Sequence, residues 1–304
     1  MNEPVLLIAF NRPDLLKGLI DELRKVKPRS VYLAVDGARP DRPDEASRVQ
    51  ACRDLATDID WTSDVHTNFQ SRNLGCGAGV TAAITWFFDN VERGIILEDD
   101  IRPDGSFYAY CTTMLDRYEN DERVFAITGC NVVGDPSKLN EQQLYRFSQY
   151  MHVWGWAGWR RTWQQHELDA RGWWHKISPW RFANACNFSP AAILYWASNL
   201  ELTARGNVDT WDWQFGFAPM RSKQLVVAPN INMVTNVGFG EEATHTHEGD
   251  SGLPQQGAMP VVIPVVPLKR NRAADRWELR HHYRATVLGG LDRFRVYFRD
   301  RKGK

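Results

Sequence analysis

Long apolar runs are missing from this chain. No stretch approaches the ~20 consecutive apolar residues that a helix needs to cross a bilayer, so no spanning helix is expected. A basic leader is missing as well. Met1-Asn2-Glu3-Pro4 has no cationic side chain, and the apolar run behind it stops at Asn11. It reads as a first strand rather than a signal peptide, which points to the cytosol. Cysteines are few and unpatterned. The five of them (Cys52, Cys76, Cys111, Cys130, Cys186) contain no CxxC pair, which argues against a zinc site and for free thiols in a reducing compartment. Net charge is also absent, with 37 Lys and Arg balancing 37 Asp and Glu. There is no internal repeat and no low-complexity tract.

The material for a core is ample: 304 residues, 43% hydrophobic, with 13 tryptophans. That suits one large domain or two small ones. The balanced charge hides an asymmetry. Lys269 to Lys304 holds 12 Lys and Arg against 4 Asp and Glu, so everything before it is net negative. Nucleic-acid binding is therefore not expected, whereas a basic segment carrying Trp277, Tyr283, Phe294, Tyr297 and Phe298 suits an anionic membrane surface. A helix packed over the domain with a solvated basic face explains it equally well.

Pro4 to Phe10 is a short continuous apolar run, as expected of a strand buried on both faces. A helix over Leu15–Val26, a strand over Ser30–Val35, a helix over Asp44–Thr57 and a strand over Asp64–Phe69 follow. After a glycine-rich turn come a helix through Phe88, a strand over Gly94–Leu97, a helix over Ser106–Tyr118 and a strand over Val124–Thr128. Strands alternating with helices predict right-handed crossovers and a parallel sheet. After Leu144 the rhythm changes and tryptophan becomes dense, with Trp159 and Trp163 at helical spacing and expected to face a core. A helix near Pro190–Arg205, a strand at Leu225–Val227 and an extended Pro260–Pro267 are also expected.

Two acidic groups fall where such a sheet binds ligands, beyond the carboxyl ends of its strands. Asp36 follows the second strand, and Glu98-Asp99-Asp100 follows the fourth. Three adjacent carboxylates repel one another unless a cation sits among them, and hard oxygen donors suit Mg²⁺ or Mn²⁺. An acidic cap on the next helix is the plainer alternative. Trp154-Gly155-Trp156 could stack on a sugar, the glycine allowing close approach of the backbone. The glycines at 75, 77 and 79 fit neither GxGxxG nor a Walker loop and read as a close-packed helix start.

Taken in order, several segments resemble the GT-A nucleotide-sugar glycosyltransferases. They are Pro4-Val5-Leu6-Leu7-Ile8-Ala9-Phe10-Asn11-Arg12-Pro13, Ala34-Val35-Asp36-Gly37, Asn73-Leu74-Gly75-Cys76, Ile95-Ile96-Leu97-Glu98-Asp99-Asp100, Val153-Trp154-Gly155-Trp156-Ala157-Gly158-Trp159-Arg160 and Asn236-Val237-Gly238-Phe239-Gly240. The likeness spans roughly residues 4 to 247. It is similar to bacterial sugar transferases of this fold, some of which carry a hemolytic-protein label. Its glutamate-led acidic triplet looks like that of the N-acetylglucosaminyltransferase that starts complex N-glycans.

The resemblance implies an α/β, GT-A (Rossmann-like) single domain with a mostly parallel central sheet. Residues 1–130 would form its nucleotide-sugar-binding half, 131–268 its acceptor-binding and catalytic half, and 269–304 a helical, basic C-terminal extension. It implies a metal-dependent transfer of sugar from a nucleoside-diphosphate sugar, UDP-sugar foremost, to a glycan or lipid-linked glycan. Asp100 would bind Mn²⁺ or Mg²⁺, with Glu98 and Asp99 on the ribose or metal-bound water. Asp36 would touch the base or ribose, and Phe10 and Arg12 would lie beside the base. Arg72 would meet a phosphate or the sugar, unless it is a solvated surface charge.

His245, in His245-Thr246-His247, would serve the metal or diphosphate. Asp212, following Trp211 as in the N-acetylglucosaminyltransferase, would be the base of an inverting reaction, with Asp209 as a helix cap. A sugar nucleotidyltransferase and a non-catalytic glycan-binding relative are the alternatives. The first usually carries a Gly-rich basic loop where this chain has Asn11-Arg12-Pro13-Asp14, and the second has no need of four such carboxylates. The location implied is cytoplasmic, peripheral on the inner face of a membrane.

Overall fold

In the computed structural model, which describes residues 1–238 and 253–292, one eight-stranded sheet separates two apolar layers. The first part alternates strictly: β1 (Val5–Ala9), α1 (Pro13–Val26), β2 (Ser30–Val35), α2 (Pro43–Asp54), β3 (Asp64–Phe69), α3 (Gly75–Asn90) and β4 (Arg93–Glu98). β1 lies between β2 and β4, parallel to both, and β3 extends the sheet beyond β2. Period-two side-chain direction explains why β1 is apolar throughout. Val5, Leu7 and Ala9 enter one layer, and Leu6 and Ile8 enter the other.

The helices cover these faces by their own periodicity. α1 buries Leu16, Leu19, Ile20 and Leu23, one stripe at three- and four-residue spacing. Pro13 occupies its first turn, where no N–H is needed. α1 and α2 pack on the first face. α3 packs on the other, sending Val80, Ala83, Ile84, Phe87 and Phe88 into the second layer.

The remaining elements are β5 (Ile101–Pro103), α4 (Gly105–Arg117), β6 (Val124–Thr128), β7 (Tyr145–Ser148), β8 (Trp156–Trp159), α5 (Arg160–Trp163), α6 (Pro179–Ala185), α7 (Pro190–Ala204), α8 (Asp212–Ser222), β9 (Leu225–Pro229), β10 (Val234–Asn236) and α9 (Arg272–His281). Across the sheet the order is β3-β2-β1-β4-β8-β6-β9-β7. β8 runs antiparallel between β4 and β6, and β7 closes the far edge antiparallel to β9. The sheet is thus mostly parallel with two reversed strands. β5 and β10 form a separate two-stranded ribbon.

The tryptophan-rich region departs from expectation in one respect. Trp159 faces a core as expected, but from a strand rather than a helix. It ends β8, paired with Arg93, because Trp156 to Trp159 completes the sheet between β4 and β6. Trp163 alone is helical, at the end of α5, and packs on Phe88 and Phe215.

A third apolar cluster lies outboard. α6, α7 and α8 gather Phe182, Tyr195, Trp196, Leu200, Phe217 and Met220 around Tyr150. α9 covers part of it with Leu279 and turns Ala274, Asp275 and Glu278 inward, so the described part of the basic extension is a packed helix with solvated arginines. Asp275 holds Arg270 and accepts from Ser148, which locks α9 to the end of β7. Residues 293–304 lie outside the described residues.

Candidate functional site

The order β3-β2-β1-β4 reverses direction of winding at β1 and β4, and an open α/β sheet has its crevice at such a switch point. A cleft of about 970 Å³ opens there, beyond the carboxyl ends of β1, β2 and β4. β1 delivers Phe10 and Arg12, β2 delivers Asp36, and β4 delivers Glu98, Asp99 and Asp100. Trp154, Asp209 and Gly238 line it from later in the chain.

The acidic triplet has a resident counterion. Arg12 bonds both carboxylate oxygens of Asp99, and its other terminal nitrogen is 3.1 Å from Asp100 Oδ2. Asp99 is 2% exposed. Burial pushes its carboxyl up to about 7 even with Arg12 opposing. Glu98 is raised by burial and then by the charges of Asp100 and Asp99. Its carboxylate has no hydrogen-bond partner among the described residues.

Arg102 braces the turn from behind, donating to the carbonyls of Asp99, Ile101 and Leu15. The main chain of β10 passes directly over Asp100. Val237 N donates to its carbonyl, and a side chain at Gly238 would collide with its carboxylate.

These residues bear on the implied metal. Among the described residues no group of three or more His, Cys, Asp or Glu is placed to hold one, because Arg12 occupies Asp99. Glu98 and Asp100 remain, two hard carboxylates, although Arg12 also stands 3.1 Å from Asp100 Oδ2. That donor set is what Mg²⁺ uses when substrate phosphate and water complete its shell, so it fits an ion that arrives with a diphosphate. His245 lies outside the described residues.

The start of α3 is built by two carboxylates. Asp36 accepts from the backbone of Gly37, Leu74 and Gly75 and from the Asn73 side chain. Asp209 accepts from Cys76 N and Gly77 N, both at 2.9 Å. The orphan N–H groups and positive end of the helix are thereby satisfied from within, leaving no anion cradle. The glycines make room. Gly75 has φ +83°, and a Cβ there would lie 2.6 Å from Asp209 Oδ2; at Gly77 it would lie 2.7 Å from Oδ1. Asp209 does cap a helix, but α3 rather than α8, which begins with Trp211 as its cap and Asp212 as its first residue.

Asp212 is not among the residues that line the cleft. Its charge nonetheless raises the carboxyl of Glu98 and the thiol of Cys76. Thr210 Oγ1 and Trp213 N both donate to its Oδ1. Oδ2 receives no hydrogen bond among the described residues. Asp209, with both oxygens committed, has no comparable freedom.

Two tryptophans expected side by side at a sugar separate. Trp154 reaches the cleft. Trp156 does not: it is 1% exposed, enclosed by Phe88, Trp163, Trp211 and Phe215. Strand alternation from Gly155 turns it into the second layer. Arg72 is not among the residues that line the cleft, though Gln70 and Asn73 on either side of it are; it is exposed on the loop after β3, with its backbone packed against Gly37.

The structure adds residues that sequence reading passed over. Arg39, Arg42 and Arg48 rim the cleft, with Asn68 and Gln70 at its outer end. Arg39 is held by Glu45 and stacks 5.6 Å over Phe10, and Arg48 Nε donates to Asn11 O. Arg42 is exposed and makes no ion pair among the described residues. Their signal was the run of arginines just after Asp36-Gly37.

No family model matches this chain, and no curated protein matches it by sequence. Among solved structures it is similar to mannose-1-phosphate geranyltransferase from Thermus thermophilus, at 13% identity and TM-score 0.38, covering 78% of this chain and 76% of that one. It is also similar to a UDP-glucose pyrophosphorylase complexed with UDP-glucose, at 6% identity and TM-score 0.38, covering 75% and 90%. Likeness this loose says nothing of the chemistry in the cleft.

Proposed function

We propose that the chain is a glycosyltransferase that takes its sugar from a nucleoside-diphosphate sugar, UDP-sugar foremost, and passes it to a glycan or lipid-linked glycan. The observation that carries this reading is the switch-point cleft. It is lined by Glu98-Asp99-Asp100 with Arg12 between the carboxylates, and Asp212 is near enough for its charge to raise the Glu98 carboxyl, with Oδ2 uncommitted among the described residues.

Each residue has work in such a transfer. Phe10 and Asp36 border the nucleoside end, and Arg42 supplies a cation for phosphate at the rim. Arg12 opposes the burial that raises the Asp99 carboxyl, and with Arg102 it fixes the turn that presents Asp100. Mn²⁺ or Mg²⁺, held by Asp100 and Glu98, would offset the charge that develops on a leaving diphosphate. Asp212 Oδ2 would accept the proton of an attacking acceptor hydroxyl, with Thr210 and Trp213 orienting the carboxylate through Oδ1. Trp154 offers its ring to a sugar.

A sugar nucleotidyltransferase needs free basic groups after β1 for a triphosphate. Here Arg12 is already spent on Asp99 and Asp100. A purely glycan-binding role loses half its platform with Trp156 buried.

The test is calorimetric titration of UDP, GDP and dTDP with and without Mn²⁺. One nucleotide should bind tightly only with metal, and Asp100→Ala should remove that binding. No binding of any of the three would refute the proposal. Release of pyrophosphate from a nucleoside triphosphate and a sugar 1-phosphate would assign the cleft to nucleotidyl transfer instead.

A further inference from the structure

We infer that the outer face formed by α6, the start of α7 and α9 with the segment after it docks on an anionic lipid surface. Large apolar groups are concentrated here without cover among the described residues. Trp180 is 74% exposed and Leu288 73%, and the Phe188 ring lies 5.0 Å from that of Trp180. The turn before α7 holds Asn187 and Phe188 at φ +54° and +55°, a backbone conformation that bulky residues rarely adopt. It keeps Phe188 outward. The pieces are contiguous: Gly290 packs against Leu194 of α7, and Arg272 of α9 bonds the Asn184 and Asn187 side chains.

Charge selects the occupant. Arg272, Arg276 and Arg280 recur every four residues on the solvent side of α9, with Arg284 beyond them. None meets a carboxylate among the described residues. The helix's own acids, Asp275 and Glu278, are turned inward at 0% and 1% exposure. Indole and phenyl rings beside arginines that meet no carboxylate among the described residues match the interface of an anionic bilayer, where aromatics sit at headgroup level and arginines meet lipid phosphate. A second copy of the chain would set arginine against arginine in a two-fold contact.

Docking this way also orients the molecule. Glu278 holds His152 at 2.6 Å, and the His152 carbonyl accepts from Thr128 at the carboxyl end of β6. α9 therefore adjoins the carboxyl end of β6, on the side of the sheet where the parallel strands β1, β2 and β4 also end. A lipid-linked acceptor would meet the cleft from that side. This last step rests on the function proposed above; the docking does not.

The experiment is co-sedimentation of the full chain with phosphatidylcholine vesicles, with and without phosphatidylglycerol. Binding should require the anionic lipid and weaken with salt. Trp180→Ser with Phe188→Ser, and separately Arg276→Glu with Arg280→Glu, should each weaken it about tenfold or more, with circular dichroism and melting temperature checking the fold. The arginine pair is solvent-exposed, so that variant keeps the test open if the aromatic one misfolds. Absence of wild-type binding, equal binding to neutral vesicles, or undiminished binding by a folded variant would each overturn the inference. A dimer that Trp180→Ser dissociates, with no vesicle binding, would overturn it in favour of self-association.

Discussion

Acidification should destabilise this protein through His166 in a way that one substitution isolates. The ring stacks on Trp163 at 4.4 Å, and its Nε2 lies 3.1 Å from Thr81 Oγ1. Nδ1 is buried with no hydrogen-bond partner, so a protonated ring would bury an unmet N–H. Burial, and then the charge of Arg221, push the ring down to about 4. An unfolded histidine titrates near 6.5. Between these values the unfolded chain binds the extra proton, so stability falls as pH falls. At pH 5.5 the loss relative to pH 8 is about 1.4 kcal/mol, rising to about 3 kcal/mol at pH 4.

His282, also pushed down to about 4 by burial and His152, acts in the same direction. Glu3 and Asp36, raised by burial, act in the opposite one. The wild-type profile alone is therefore ambiguous. Urea denaturation of wild type and His166→Phe at pH 8.0, 6.5 and 5.5 separates them. Phenylalanine keeps the stack and loses the Thr81 bond at every pH alike. The gap between the two proteins should shift by about 1.4 kcal/mol in favour of the variant between pH 8 and pH 5.5. A gap independent of pH would refute the assignment of a depressed pKa to His166.

Gly75→Ala should cost about 2 kcal/mol or more in urea denaturation, combining a left-handed backbone with displacement of the Asp209 cap. Trp156→Ala should cost about 3–5 kcal/mol by opening a cavity among Phe88, Trp163 and Phe215, a loss of stability that would mark a core side chain rather than a sugar platform. Asp212→Asn should lower the turnover of the proposed transfer by about 10²–10⁴ while donor affinity by calorimetry stays unchanged. Retained turnover would remove Asp212 as base.

The parallel half of the sheet could be read from the chain because its signals are local. β1, β2 and β4 are short apolar runs buried on both faces, β3 alternates on the exposed edge, and α1 carries a clear stripe of Leu16, Leu19, Ile20 and Leu23. The cleft's position followed from the same logic, since strand ends are visible in sequence. What sequence reading missed is decided at long range. Whether Trp156 points to a ligand or a core depends on β8 pairing with β4, some sixty residues away. That Asp209 caps α3 depends on a contact across more than 130 residues. The cation among the three carboxylates was anticipated as a metal alone. A side chain just beyond the neighbouring strand, Arg12 at the start of α1, already supplies one, and only the adjacency of β1 and β4 reveals it.

The position of β8 has a consequence in time. On the ribosome β1 to β4 can assemble once about the first hundred residues have emerged, and domains generally fold as the chain is made. At that moment Ile95, Ile96 and Leu97 form an apolar strand whose outer edge has no partner, because the strand that covers it is 156–159. β6, although complete by residue 128, joins β4 only through that same strand. The nascent sheet thus waits with its middle as its margin. Open strand margins recruit other chains, so the interval between β4 and β8 leaves a central strand open to pairing with another chain.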